Sequence, residues 1–409
     1  MVDQKETLAG LNIDLFSETF NRNPYPVFQQ LRERDPIHQM TLPDGQTAWV
    51  ISRYDDAMAA LKEVHFIKDP TQFFNKEGEA ENPNQAKSLL FNNHMLNSDP
   101  PAHRRLRNLV QKAFTPRMIA GLRPRIEEIT TLLLDDIEEK GAVDLIEAFA
   151  FPLPIIVICE MLGVPSEDRD IFRQWSNTLV EAANNPKKIQ EIQPQMINFS
   201  NYIDDWIHYR KQHPQHDLIS HLIEAEERGE QLNHQEIRSL VFLLIIAGHE
   251  TTVNLIGNGV LALLENPDQL ETLKANPSLI HQAIEEMLRY NGPVEFSTSR
   301  WASEDIVFRG QTMSKGDLIL IALDSANRDP EQFQSPETFD ITRKYNRHLA
   351  FGKGIHYCLG APLARLEGEI AINALIKRMP NLQLNTDSES LQWRPGILIR
   401  GLTALPVRY

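Results

Sequence analysis

Of the two cysteines in this 409-residue chain, Cys358 stands where a thiol could do chemistry. It lies in the run Phe351-Gly352-Lys353-Gly354-Ile355-His356-Tyr357-Cys358-Leu359-Gly360, just before an amphipathic helical pattern with Pro362 in its first turn. Glycines in such a loop permit tight turns and close approach of backbone N–H groups to a ligand. A cysteine at a helix N-terminus has its thiolate favoured by the dipole and the free amides. That thiolate could be a nucleophile if the loop folds His356 back as its base. Zinc would need more ligands than Cys358 and His356 supply, and a dinucleotide fingerprint fails at Tyr357, where a third glycine should stand. A single thiolate can also serve as the axial ligand of haem iron. Cys159, inside the apolar stretch Phe151–Leu162, reads as a small core residue.

Two upstream clusters also carry chemistry. Ala247-Gly248-His249-Glu250-Thr251-Thr252 places an acid and two hydroxyl-bearing residues inside a long helical pattern. At its plainest, a threonine there bonds back to the carbonyl four residues earlier and bends the helix. Glu286 and Arg289, three apart on another helical pattern, are spaced for an ion pair.

Taken together these segments resemble the cytochrome P-450 family. The cysteine loop matches the pattern F-G-x-G-x-H-x-C-x-G, continued by Leu363-Ala364-Arg365, at every fixed position. The resemblance runs over essentially the whole chain and is closest to the soluble bacterial polyketide- and macrolide-tailoring hydroxylases. It implies haem b with Cys358 as its iron ligand, set in a loop with Phe351, Gly352 and Gly360. It implies propionate contacts from His103, Arg107, Arg300 and His356, and a haem-facing notch at Ala247 and Gly248. Thr251 would deliver protons during dioxygen activation and Glu250 would relay them from solvent. Glu286, Arg289 and Arg343 would form a buried structural network behind the cysteine loop. Candidate pocket walls are Asn93, His94, Met95, Leu96, Leu243, Ala247, Val294, Glu295, Phe296, Ser297 and Ile397. The implied reaction inserts one oxygen atom into a C–H bond of a hydrophobic molecule. Electrons would come from a ferredoxin or flavodoxin, with NAD(P)H as the ultimate reductant. A peroxide-driven fatty-acid hydroxylase and a non-catalytic haem-thiolate sensor or carrier are the rivals. The Glu250-Thr251 pair disfavours both: peroxide-driven members of the resembling family usually lack such an acid–alcohol pair, and a sensor has no need to deliver protons to oxygen.

The elements that must position these residues follow from periodicity. Apolar spacing of three and four predicts helices over Ile126–Glu139, Phe151–Leu162, Pro194–Lys211, Ile237–Glu265, Pro277–Tyr290 and Ala361–Met379. Strands are expected at Ile37–Thr41 and Thr47–Ser52, joined by a Leu42-Pro43-Asp44-Gly45 turn. Further strands are expected over Val294–Ala302, Ile306–Phe308, Asp317–Ala322 and Leu391–Val407. The polar stretch from Phe66 to Leu96 reads as a functional loop or a surface insertion. Strands at both ends and in the middle, with helices between, predict one α+β domain over residues 1–409. Its β-rich lobe would hold roughly 1–65, 292–345 and 385–409, and its helical lobe roughly 66–291 and 346–384.

A net charge of −15 weighs against general nucleic-acid binding, and two cysteines exclude a disulfide framework, consistent with a cytoplasmic monomer. No signal peptide, and no apolar run near the roughly 20 residues of a membrane anchor, is evident. The charge is uneven. Residues 102–126 hold seven basic side chains and no acid, and residues 341–366 hold five and no acid. In the resembling family both windows flank the cysteine side, so Arg104, Lys112, Lys344 and Lys353 are expected to face the electron donor.

Overall fold

The computed structural model describes residues 13–42, 45–69, 71–74, 93–168, 171–172, 174–175, 193–227 and 232–409. The helices that frame the site are α1 (Ala102–Gln111), α2 (Pro116–Glu138), α3 (Pro152–Leu162), α4 (Gln193–Gln212), α5 (Leu218–Glu227), α6 (His234–Glu265), α7 (Ile280–Tyr290) and α8 (Ala361–Arg378). Helix α6 is the axis of the helical part. Asn233 and Glu236 start it with a reciprocal capping box, which satisfies two orphan N-terminal amides. Its apolar residues point almost all round, as a helix enclosed by others requires. It packs on α3, α7 and α8. Gly248 lies against α3, where a Cβ would stand 3.1 Å from the Ile158 side chain. Helix α6 is long and apolar enough to cross a membrane, yet 72% of its most apolar window is buried inside the protein. The largest apolar cluster surrounds this axis and contains Cys159, which is fully buried as expected of a core filler.

The strands are short: β1 (Ile37–Thr41), β2 (Thr47–Ile51), β3 (Phe66–Ile67), β4 (Ala142–Asp144), β5 (Arg300–Ala302), β6 (Ile306–Phe308), β7 (Gln311–Met313), β8 (Leu318–Ile321), β9 (Gln383–Leu384) and β10 (Pro406–Arg408). Five form one sheet in the order β1-β2-β8-β5-β3. The β1–β2 hairpin pairs Ile37 with Ile51 and Thr41 with Thr47, as its sequence predicts; Pro43 and Asp44 of the turn lie outside the described residues. Two apolar clusters pack on this sheet, one with Tyr54 and Phe333, the other with Phe28 and Phe296.

Two expected strands shrink. Across Val294–Ala302 only Arg300–Ala302 enters a ladder. The Glu295 amide donates to Leu398 and the Ser297 amide to Ile321, so the segment turns from one partner strand to another and no single ladder forms. In the tail the strand is confined to Pro406–Arg408, and Trp393 opposite Leu402 is an isolated bridge. Most of the polar stretch 66–96 lies outside the described residues; its end forms a single 3₁₀ turn at Met95–Asn97.

Candidate active site

The cysteine loop is held from both sides. The Cys358 amide donates to Phe351 O at 2.9 Å and the Gly352 amide to Leu349 O at 2.7 Å. Gly354 adopts φ +77°, and a Cβ there would stand 2.9 Å from Leu61 O, so only glycine fits. Arg107 of α1 donates to Tyr357 O at 2.7 Å, tying α1 to the residue before the cysteine. On the other side Arg365 binds Glu285 through two hydrogen bonds, 2.6 and 3.0 Å, with its guanidinium 4.5 Å above the Phe351 ring. His348 closes the same set at 3.2 Å from Glu285. Burial alone would raise Glu285, but His348 and Arg365 outweigh it and hold the carboxyl down at about 2.

The thiol departs from the sequence expectation. Amides of Gly360 and Ala361, with Arg107 and Arg365, do pull its pKa down, but burial pushes harder and the net shift is upward. Cys358 is nevertheless solvent-accessible and so within reach of a ligand. A metal ion bound to it would deprotonate it outright. Two rival uses lose support. No cluster of three metal-ligating side chains occurs among the described residues. His356 turns away from the base role, its ring 4.3 Å from His103.

That His103–His356 pair belongs to a cationic pocket. Arg300, Arg107 and Lys68 all act on His356, and burial together with these neighbours lowers it to about 2. Burial likewise lowers Arg300 to about 10. His103 Nε2, His356 Nε2 and Arg300 Nε are buried without hydrogen-bond partners. Convergent donors left unpartnered in a cationic pocket are what a pair of carboxylates would satisfy. Arg300 is steadied by Phe66 O at 3.3 Å.

On α6, Ala247 is exposed and Gly248 and Thr251 half-buried, although Ile245, His249, Glu250 and Thr252 around them are buried. An accessible patch halfway along an enclosed helix marks where a small ligand can reach it. Thr251 Oγ1 donates to Ala247 O at 3.1 Å, and His249 Nδ1 lies 2.6 Å from Ile245 O. The helix runs unbroken through these bonds, so the expected local opening goes no further than these two side-chain contacts.

Glu286 and Arg289 are both fully buried and joined by two hydrogen bonds, 2.8 and 2.7 Å. Arg343 Nε, Asn346 Nδ2 and the Asp340 amide complete the carboxylate's shell at 3.0, 3.0 and 2.9 Å.

Among the candidate pocket walls, Asn93 is exposed and Leu96, Val294 and Ile397 are half-buried. His94, Met95 and Leu243 are buried. Ser297 lies buried, its hydroxyl 3.3 Å from Thr298 O. Two pocket candidates are turned elsewhere. Phe296 packs edge-on against Phe28, 5.7 Å between centroids. Glu295 is 2% exposed beside Arg400 and Asp324, and burial raises its pKa well above the usual range. Position in the segment names these two as pocket walls, while their ring and charge contacts hold them in the core.

Several functional neighbours escaped the sequence reading. Lys68 is buried, its Nζ 3.0 and 2.7 Å from the carbonyls of Thr298 and Ser299, just before Arg300. Arg394 binds Glu250 at 2.8 Å. Glu367 is buried beside Thr252 and pushed up to about 8 by burial. A lysine directly after the apolar Phe66-Ile67 pair is a visible signal, but its backbone partners are not.

The cytochrome P450 family profile matches residues 11–397. The polyketide biosynthesis cytochrome P450 PksS of Bacillus subtilis is 46% identical over 95% of this chain and 96% of its own length. The chain belongs to the cytochrome P450 family. The PksS structure superposes with a TM-score of 0.90 at 44% identity, covering 97% of this chain and 99% of that one. The 6-deoxyerythronolide B hydroxylase of Saccharopolyspora erythraea is 40% identical over 97% of this chain and 98% of its length. A myxobacterial cytochrome P450 in complex with myristic acid gives a TM-score of 0.91 at 41% identity, covering 97% and 98%.

As a cytochrome P450 the protein is a mono-oxygenase with haem iron as its cofactor. The residues present fit that group. The accessible Cys358 suits the iron, and the unpartnered donors of His103, His356 and Arg300, with Arg107, suit the propionates.

The basic windows are less bare than they read in sequence. Arg105 pairs with Glu236, Arg123 with Glu127, and Arg125 with Glu160 and Glu128. Arg343 and Arg365 are committed to Glu286 and Glu285. The acids come from outside the windows, where a local count misses them. Arg104, Lys112, Lys344 and Lys353 are exposed.

Proposed function

We propose that this cytochrome P450 hydroxylates a polyketide- or macrolide-like molecule, using dioxygen and electrons from a ferredoxin or flavodoxin reduced by NAD(P)H. The observation that carries the reading is the pairing of an accessible Thr251 with a buried Glu250 on α6. Haem b, held by Cys358, would supply the activation of dioxygen and the C–H oxidation. The chain's own part is positional. His103, Arg107, Arg300 and His356 take the propionates, Thr251 offers a hydroxyl at the open patch, and Glu250 holds a proton-accepting carboxylate away from bulk water. Mostly apolar walls bind the substrate. The names of PksS and of 6-deoxyerythronolide B hydroxylase support a polyketide-derived substrate. The myristic acid bound to a similar P450 favours a long-chain fatty acid as the second reading.

Product analysis with a ferredoxin and its reductase tests this. Oxygenated polyketide product that depends on electron supply supports the reading. Fatty-acid hydroxylation driven by peroxide alone would replace it.

The exposed cations Arg104, Lys112, Lys344 and Lys353 would receive the acidic electron donor. Charge reversal at Arg104 and Lys353 should raise the donor's KM several-fold and steepen its dependence on salt. Kinetics unchanged across ionic strength would remove these residues from the docking face.

A further inference from the structure

Glu250 is 2% exposed, and among the described residues its carboxylate receives one hydrogen bond, from Arg394 Nη1 to Oε1 at 2.8 Å. Oε2 is buried with no hydrogen-bond partner; His249 Nε2 stands 3.7 Å away. Arg394 itself is 19% exposed, so it spans from the enclosed carboxylate to the surface.

Arg394 lies on a hairpin seated directly on α6. Trp393 bridges Leu402, and the Arg394 amide donates to Gly401 O at 2.9 Å. A Cβ at Gly401 would collide with Asn254, one helical turn beyond Glu250. The hairpin thus touches α6 at two successive turns, through a charge and through a backbone that admits no side chain. Its turn, Pro395-Gly396-Ile397, carries Ile397 into the cluster of Phe28 and Phe296.

We propose that Arg394 is the positioning residue of the proton relay: it holds Glu250 as an enclosed carboxylate and links that carboxylate to the surface. This rests on the reading of Glu250 as the relay acid. Arg394 is the group that reaches from the enclosed carboxylate towards solvent. Without that guanidinium the buried carboxylate is left uncompensated. The other titratable group facing it, His249, is held low by burial and supplies no replacement charge.

The test uses the haem-loaded enzyme and the variants Arg394→Gln, Arg394→Lys, Glu250→Gln and the Arg394→Gln/Glu250→Gln double variant. In Arg394→Gln the enclosed carboxylate of Glu250 loses its charged hydrogen-bond partner. Relative to wild type its Tm should therefore fall, and the double variant should recover part of that loss. Product formed per NAD(P)H should drop roughly tenfold in Arg394→Gln, a part of the roughly 10²–10⁴-fold that positioned proton transfer supplies. Arg394→Lys should recover most of it. Arg394→Gln should cost nothing more in the Glu250→Gln background. If Glu250→Gln leaves the yield unchanged, the relay reading itself fails. If Glu250→Gln lowers the yield but Arg394→Gln has wild-type yield, or the two losses add, the role of Arg394 is overturned while the relay stands.

Discussion

Glu286→Ala should yield little haem-loaded protein and a domain destabilised by about 3–5 kcal/mol, the cost of leaving a buried charge unpaired. Folded domains have only about 5–15 kcal/mol in hand, so the loss approaches global unfolding. The damage should reach the haem because the network is wired to the cysteine loop. Glu286 holds Arg289, and Arg289 donates to Asn327 O at 3.2 Å. Asn327 Oδ1 accepts the Leu349 amide at 2.6 Å, and Leu349 O accepts the Gly352 amide at the start of the loop. Glu286→Gln keeps the shape and loses the charge, so it should fall between wild type and alanine. Haem content per chain and thermal unfolding measure the effect; normal loading with normal stability in Glu286→Ala would refute the assignment.

Thr251→Ala should leave the fold intact while product formation falls on the order of 10²-fold, the lower range for a positioned proton donor. The hydroxyl faces the accessible patch, and its one structural bond, to Ala247 O, is replaceable by water. Electrons should still be consumed but appear as hydrogen peroxide rather than product. Thr251→Ser should restore most of the yield, since it returns the hydroxyl without the methyl group. NAD(P)H consumed, peroxide formed and product formed, measured together, separate this from slow electron transfer. An unchanged product yield in Thr251→Ala would remove the hydroxyl from the chemistry.

How much could be read from the chain depended on whether the cause was local. Helix α6 and the β1–β2 hairpin follow from apolar period and turn chemistry, and their bounds match within a few residues. The cysteine loop was legible because its glycines and the following helix lie in one segment. What escaped was held together across the chain. Lys68 meets Thr298 and Ser299, Arg394 meets Glu250, and the acids Glu236 and Glu160 that meet Arg105 and Arg125 come from other helices. The thiol shift was misjudged for the same reason: its helper amides are local, but the burial that outweighs them is tertiary. Glu295 and Phe296 carry no local sign of which way they turn; their neighbours Arg400, Asp324 and Phe28 come from distant segments.

The haem site stands or falls with Cys358 as the iron's ligand. The carbon monoxide difference spectrum of the reduced protein tests this, because its main band lies elsewhere for thiolate-ligated than for nitrogen-ligated haem. Wild-type protein should show the red-shifted band of thiolate ligation, and Cys358→His should convert it to the band of nitrogen-ligated haem. A nitrogen-type band from intact, correctly folded wild-type protein, or a thiolate band that survives in Cys358→Ala, would contradict the account.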